Sequence, residues 1–536
     1  MKKIILLVLT LFLLGNDNSV DVRPNIIWLV AEDQSVNFFP MYGDGTIDLP
    51  NLSSLRKDGI LYENAYSPVP VCAPARSSII TGMYPTSIGT HNMRTYAEFP
   101  QPKPSKDVIN YSPVPNSNVK MFTEYLRKHS YYTSNYGKED YNFKKTDGSW
   151  DYSCSLDCSR KLEPLWRKRK KDQPFFAVFN FGITHESQVW SQGDSELFVN
   201  PDEINVPPIF PDTAEVRKDL AINYSNLVRL DKQIGEIIDL LKKDNLYNNS
   251  VIFFYADHGG PFPRFKRALY DTGIKVPLII KLPKNLDHNS SNSSLVSFID
   301  YAPTVLSLAG IKPPKHMQGK AFHGKYKSKE KSKYIFSSSD RFDEHVDRSR
   351  AVIHGGYKYI KHFHPEIART NNAYRDNMPM MKNMKKLWAD GKLGKDQAQW
   401  FKNPKPSEEM YILDEDPYEL NNIVNNPKYA NKLKFMQESL NEWIIKTNDL
   451  GKFNEVDLIN KFLVDGIQPQ LSALTVERKD NLVLLKHDDN EITIVWRKIG
   501  EYNWEIYSSG LILLGNIEAK AVQIGYEDSE ITKILF

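Results

Sequence analysis

The sequence predicts an α/β fold: a doubly wound, mixed or parallel sheet followed by a smaller α+β subdomain and a small β-module. Three observations point there. Continuous apolar runs of strand length recur, as expected of buried strands covered on both faces. A long helical pattern lies between two of them. The 536 residues exceed one small domain and suit a large α/β domain with appendages.

The first run is Asn25-Ile26-Ile27-Trp28-Leu29-Val30. Three more follow: Phe175-Phe176-Ala177-Val178-Phe179, Val251-Ile252-Phe253-Phe254-Tyr255 and Pro277-Leu278-Ile279-Ile280. Between the second and third, Leu227, Leu230, Ile234, Ile237, Ile238 and Leu241 recur at helical spacing, which leaves Arg229, Asp231, Lys232 and Glu236 for the polar face. Strands alternating with a helix imply a doubly wound domain over 22–325. From 330 the runs shorten to Tyr334-Ile335-Phe336, Ala351-Val352-Ile353, Tyr357-Lys358-Tyr359-Ile360 and Met410-Tyr411-Ile412-Leu413. Helical spacing through Leu433, Met436, Leu440 and Ile444 completes an α+β subdomain over 330–450. In 451–536, Glu491 to Trp496 and Ala519 to Ile524 alternate at period two, the pattern of a β-module.

Composition narrows the function classes. Hydrophobic residues make up 41% and charged residues 25%, which excludes disorder, collagen and a membrane bundle. The net charge of +3, from 69 basic and 66 acidic side chains, gives no support to a nucleic-acid binder. The run Arg167-Lys168-Arg169-Lys170-Lys171 reads as a solvated loop. At the N-terminus, Lys2 and Lys3 precede the apolar run Ile4 to Leu14, and a polar stretch closes a signal peptide over 1–19. That run is shorter than the roughly 20 residues that span a bilayer, so the expectation is export without stable membrane insertion, to the periplasm in a Gram-negative source. In an oxidising compartment Cys154 and Cys158 are close enough in sequence for a disulfide, or both stay thiols; Cys72 stands alone.

Ligands of doubly wound sheets sit beyond the carboxyl ends of the strands. Here the first strand runs into Glu32-Asp33, the second through Asn180-Phe181-Gly182 to His185, and the third into Asp257-His258. One acid after a strand is commonly a turn or cap; three coincidences on one edge are harder to dismiss. Clustered carboxylates repel one another and call for a cation. Oxygen donors from Glu32, Asp33 and Asp257 suit calcium, with magnesium second. His258 adds a nitrogen donor, unusual for calcium, which leaves room for an ion of higher imidazole affinity.

The segment Val71-Cys72-Ala73-Pro74-Ala75-Arg76-Ser77-Ser78-Ile79-Ile80-Thr81-Gly82 resembles the signature of type I sulfatases of the alkaline phosphatase superfamily. Glu32-Asp33, Asp257-His258 and Lys266 stand where that family has an acidic pair, Asp followed by Asn or His, and a second lysine. Glu409 to Leu420 is similar to its C-terminal subdomain motif, so the resemblance covers 22–450; the tail resembles a fibronectin-like module of glycan-acting enzymes. The resemblance implies that a maturation enzyme oxidises Cys72 to formylglycine (3-oxoalanine), whose hydrate attacks sulfur beside one bound divalent ion. On that resemblance Cys72 is expected to join Glu32, Asp33, Asp257 and His258 as a metal ligand. Arg76, Lys138 and Lys266 neutralise sulfate oxygens, and His185 protonates the leaving oxygen. One departure stands out: Gly137-Lys138-Glu139-Asp140 replaces the family's Gly-Lys-Trp-His, putting Asp140 where a histidine is usual.

His91, Arg94, Arg341 and His345 are the candidates for sugar-binding positions, against an equal expectation of ordinary salt-bridged surface. Export, an accessory module and basic loops suit a sulfated carbohydrate, and the resemblance is nearest to bacterial sulfatases of such polysaccharides, algal ones such as ulvan included. Two rivals stay open: a phosphomonoester or phosphodiester hydrolase of the same superfamily, and a non-catalytic glycan binder with unconverted Cys72.

Overall fold

The computed structural model describes residues 23–96, 103–154, 164–371, 373–512 and 514–536. The segment expected as a signal peptide lies outside the described residues. At the centre is a nine-stranded mixed sheet of β1 (Asn25–Ala31), β2 (Ile60–Tyr66), β3 (Tyr132–Tyr136), β4 (Tyr152–Cys154), β5 (Phe175–Phe181), β6 (Ser250–Ala256), β7 (Lys275–Val276), β8 (Leu278–Lys281) and β9 (Ser290–Ser297). Its order is β4-β3-β5-β1-β6-β8-β2-β7, with β9 beside β2. Strands β5 and β6 flank β1 in parallel, in the registers Val30↔Asn180 and Val30↔Tyr255. The loops after all three therefore leave the same edge of the sheet. Every residue of β1, β5 and β6 is buried, as their continuous apolar sequences require.

The fourth apolar run, β8, is equally buried but runs antiparallel to β6. Strands β2 and β3 gave no apolar run. Polar Thr133, Ser134 and Asn135 of β3 are fully buried, and two of them are paired. Thr133 N donates to Asp151 Oδ2 at 2.7 Å, and Asn135 Nδ2 donates to Gly137 O at 3.0 Å. Trp28 anchors the core, packing edge-on to Phe176 at 5.0 Å and Tyr255 at 5.5 Å.

The long helix spans Ala214–Lys243 and buries all six expected apolar positions. Asp231 departs from the expected polar face. It is 2% exposed, and its carboxylate accepts from Asn51 N at 3.1 Å and Leu52 N at 2.8 Å. These are unpaired amides in the first turn of the helix Pro50–Lys57. Asp231 thus caps another helix from a distance, a role that periodicity cannot show.

A four-stranded antiparallel sheet, β10 (Ile335–Ser339), β11 (Ser349–His354), β12 (Tyr357–His362) and β13 (Glu408–Ile412), follows in chain order and packs against the helix Ala430–Lys446. Two small sheets complete the C-terminal region, one of which pairs the expected strands Thr493–Lys498 and Ile517–Val522. Cys154 is disulfide-bonded and Cys72 is free; Cys158 lies outside the described residues. The basic run at 167–171 is largely exposed, with Arg167 paired to Asp244 at 2.8 Å. No helix among the described residues is long and apolar enough to cross a membrane.

Because Asp231 supplies the acceptors for two first-turn amides, Asp231→Ala should cost about 1–2 kcal/mol of stability. Urea denaturation reads this directly, and an unchanged midpoint would contradict the cap.

Candidate active site

Cys72 is the first residue of the helix Cys72–Thr81, all ten residues of which are buried. A helix so short of large apolar side chains stays buried because its hydroxyls are satisfied internally: Ser77 to Pro74 O at 3.0 Å, Ser78 to Ala75 O at 2.6 Å and Thr81 to Ser77 O at 2.6 Å. Gly82, at φ +69°, ends it in the left-handed conformation that glycine adopts at least cost. The helix N-terminus, with its partial positive charge, lies at Cys72.

The strand ends converge on that sulfur. Asp33, just past β1 at φ 52°, donates from its backbone N–H to Asp257 Oδ1 at 3.0 Å. Its own carboxylate accepts from Lys266 Nζ at 2.7 Å and Glu186 N at 2.6 Å, and lies 2.9 Å from His258 Nε2. Cys72 Sγ is 3.3 Å from His258 Nε2 and 3.8 Å from Asp33 Oδ1. Gly259 allows the close approach after β6, since a Cβ there would sit 2.1 Å from Thr272 O.

Asp33, Cys72, Asp257 and His258 offer ligand atoms all within 4.8 Å of one another, every residue buried. His258 Nδ1 contacts Gly259 O at 2.9 Å, so Nδ1–H donates there and Nε2 faces the carboxylates, the arrangement of a metal-binding imidazole. Burial disfavours charge on this ring, yet Asp257, Cys72 and Asp33 push it up to about 10. The cluster thus draws positive charge onto its histidine, and a divalent ion would satisfy the same demand. Burial also opposes a Cys72 thiolate, but Lys138 and Lys266 bring the thiol down to about 5. Asp33 lies well below the usual carboxylate range despite burial, through Lys266, His185 and His258. The donor set fits a divalent cation.

Glu32 stands apart from these four. Its carboxylate faces Arg76 at 3.6 Å and Lys138 at 3.4 Å. Arg76 Nε donates to Asp257 Oδ2 at 3.0 Å and one terminal nitrogen donates to Asn180 Oδ1 at 2.7 Å. Its other terminal nitrogen, the one 3.6 Å from Glu32, is buried and makes no hydrogen bond, so it keeps donor capacity. Asp140 lies 3.7 Å from Lys138 and 3.4 Å from Arg94. Against the burial that raises it, Arg94 and Lys138 bring Asp140 down to about 2, poorly matched to general-base work near neutrality.

His185 caps the helix Glu186–Ser191, where Ser187 N donates to its Nδ1 at 3.3 Å. In the neutral ring the proton then sits on Nε2. Sequence reasoning missed Glu186, Asn180 and Arg267. Glu186 bridges Lys266 at 2.9 Å and Arg267 at 2.9 Å, and Arg267 continues to Asp343 at 2.6 Å. Their adjacency to His185 and Lys266, and for Asn180 its place at a strand end, was the available signal. Of the sugar-binding candidates, Arg94 meets Asp140 beside Lys138. Arg341 is buried and paired with Glu455. His91 is 1% exposed, among Asp340, Arg350 and Asp449, and His345 lies on the loop after β10.

A buried sulfur among cations, on the carboxyl edge of an α/β sheet, is an arrangement suited to chemistry on an anionic ester. The sulfatase family model matches residues 24–311, and that of the C-terminal region of N-sulphoglucosamine sulphohydrolase matches 260–394. An "ulvan-active sulfatase" of Formosa agariphila is 38% identical, covering 96% of this chain and 91% of that protein. Human N-sulphoglucosamine sulphohydrolase is 22% identical over 80% of this chain and 91% of its own length. Among solved structures, a protein in complex with its substrate D-glucosamine-2-N,6-O-disulfate aligns with TM-score 0.56 at 17% identity, covering 80% of this chain and 98% of that one. A 2-O glycosaminoglycan sulfatase aligns with TM-score 0.58 at 16% identity, covering 80% and 93%. The chain belongs to the sulfatase family, as a type I sulfatase of the alkaline phosphatase superfamily. Its reaction is the hydrolysis of sulfate esters.

Glu186 holds Lys266 through its carboxylate and Asp33 through its backbone amide, so it positions both, and its carboxylate also lies within 4.8 Å of ligand atoms of Asp33 and His185. Glu186→Gln should lower turnover of a small sulfate ester about 10–100-fold in a protein that keeps its circular dichroism spectrum. Full activity in that variant would reject the positioning role.

Proposed function

We propose that this sulfatase removes sulfate from a sulfated polysaccharide or its oligosaccharides, ulvan-type glycans foremost, using a formylglycine made from Cys72 and one calcium ion. The observation that carries the chemistry is the buried Cys72 Sγ at a helix N-terminus, within reach of His258 and Asp33. The substrate class rests on the relative described as an ulvan-active sulfatase, matched over nearly the whole of both chains. Asp33, Asp257 and His258 would hold the ion together with residue 72. The ion would supply positive charge at the sulfate and at the attacking oxygen. Converting the thiol to an aldehyde gives residue 72 a hydrated carbon whose second hydroxyl can later expel sulfate, which a thiol cannot do.

The chain's own cations do the rest. Arg76, held by Asp257, Asn180 and Glu32, would offer its remaining N–H capacity to a sulfate oxygen. Lys138 and Lys266 add charge, each tethered by carboxylates: Glu32 for Lys138, Asp33 and Glu186 for Lys266. His185 donates its Nε2 proton to the departing sugar oxygen. Asp140 orients Lys138 and Arg94. The reading includes export by the 1–19 signal peptide, a maturation enzyme that modifies Cys72, and a catalytic domain over 22–325 backed by units at 330–450 and 451–536.

Cys72→Ser should lower kcat about four orders of magnitude or more while leaving oligosaccharide binding largely intact. Dialysis against a chelator should abolish turnover, and calcium should restore it. Parallel assays on matched sulfate and phosphate mono- and diesters should favour sulfate. Faster phosphate hydrolysis would reject the reading, and desulfation confined to glycosaminoglycan fragments in a defined panel would reject ulvan.

A further inference from the structure

The segment Lys312–Lys333 holds eight lysines and one carboxylate, Glu330, whereas the whole chain has a net charge of only +3. The rest of the molecule is therefore net acidic, and this stretch is its concentrated source of positive charge. All eight lysines are exposed. Among the described residues only Lys320 has a carboxylate at salt-bridge distance, Glu330 at 2.7 Å. Lys325, Lys327, Lys329, Lys331 and Lys333 recur at every second position without such a partner.

The backbone holds these like charges together. Lys325 N donates to Ser307 O at 3.1 Å, and Tyr326 N to Ser307 Oγ at 2.7 Å. Ser328 N closes the loop on Ala321 O at 2.7 Å, and Ser332 bridges to Leu295 of β9. Gly324, at φ +83°, makes the turn. At its far end the basic strip meets an aromatic cluster. Tyr334 stacks on His354 at 4.7 Å, Phe435 lies 5.0 Å from that ring, and Lys432 Nζ approaches His354 Nδ1 at 3.1 Å. Phe435 is 37% exposed and Tyr326 36%. Exposed lysines without ion-pair partners, on an anchored backbone beside exposed rings, match a chain of anionic sugars: charge for the sulfates, ring faces for the pyranoses.

We propose that the Lys325–Lys333 loop, with Tyr334, Lys432 and Phe435, is a docking surface for an anionic, sulfated polysaccharide, separate from the catalytic cluster. It joins the sheet bearing the site through β10, whose Ser338 N donates to Pro68 O at 2.8 Å. The surface raises the local concentration of polymer around the enzyme and leaves small esters unaffected. The proposal rests on the reading that the substrate is a sulfated polysaccharide, and its test is built on binding so that the two can fail separately.

The test uses the full chain with Cys72→Ala, which removes turnover, and size-fractionated ulvan as probe. Substituting Lys325, Lys327, Lys329, Lys331 and Lys333 by Gln should weaken binding about tenfold and flatten its salt dependence. Phe435→Ala should weaken the binding that persists at high salt. In the Cys72 background, the five-lysine variant should keep kcat and KM on a small sulfate ester unchanged, which shows that the fold and the site are intact. Unchanged ulvan affinity in that variant would overturn the proposal. So would equally tight binding of double-stranded DNA by the parent, which marks a general polyanion surface. Failure of the active enzyme to desulfate ulvan would count against the proposed substrate, while the binding measurements would still decide the docking surface.

Discussion

Everything in the site follows from placing two carboxylates, those of Asp33 and Asp257, with oxygens within 4.8 Å of each other at a fully buried point of the sheet edge. Like charges at that separation in a poorly solvated interior repel strongly unless cations surround them. The chain answers with Arg76, Lys266 and a histidine driven toward its charged form. Each of these is tethered by more than one partner, so none can turn away. The assembly is a rigid frame of donors in which one buried guanidinium nitrogen, 3.6 Å from Glu32, makes no hydrogen bond, a donor that an anion could take up.

The fold supplies that frame by parallel pairing. Because β5 and β6 flank β1 in the same direction, the backbone carries Asp33, Asn180 and Asp257 to one edge with no long loop to order. The Cys72 helix brings its N-terminus to the same point, adding a fixed partial charge. Farther out, Glu186, Arg267 and Asp343 form an ionic chain from Lys266 to the loop after β10. Buried ion chains contribute little net stability but hold geometry strongly, since removing one member leaves another uncompensated. Here the geometry held is that of Lys266 against Asp33.

Much of this was legible in the sequence, for a physical reason. Strands buried on both faces must be apolar throughout, so β1, β5 and β6 showed as unbroken runs, and their carboxyl ends pointed to Asp33, His185 and Asp257. The Cys72 to Gly82 segment carried its family resemblance in local spacing. Less visible was whatever depends on partners distant in sequence. Strand β3 is buried yet polar, so no apolar run marked it. Asp231 sits at a position that periodicity assigns to solvent, because its partners belong to the helix at 50–57. Arg341 had the composition of a sugar contact, but Glu455, more than a hundred residues on, takes up its guanidinium. Glu32 and Asp33 are neighbours in sequence, but the left-handed backbone at Asp33 turns one toward Arg76 and Lys138 and the other toward His258.

In the proposed mechanism the charge surrounding residue 72 serves an aldehyde in place of the thiol. Peptide mass spectrometry of residue 72, on protein purified from its native host, tests this most directly. The account predicts that the active protein carries a peptide whose mass corresponds to formylglycine, and that turnover scales with the fraction converted. Full sulfatase activity in a preparation whose Cys72 is an intact thiol would contradict it.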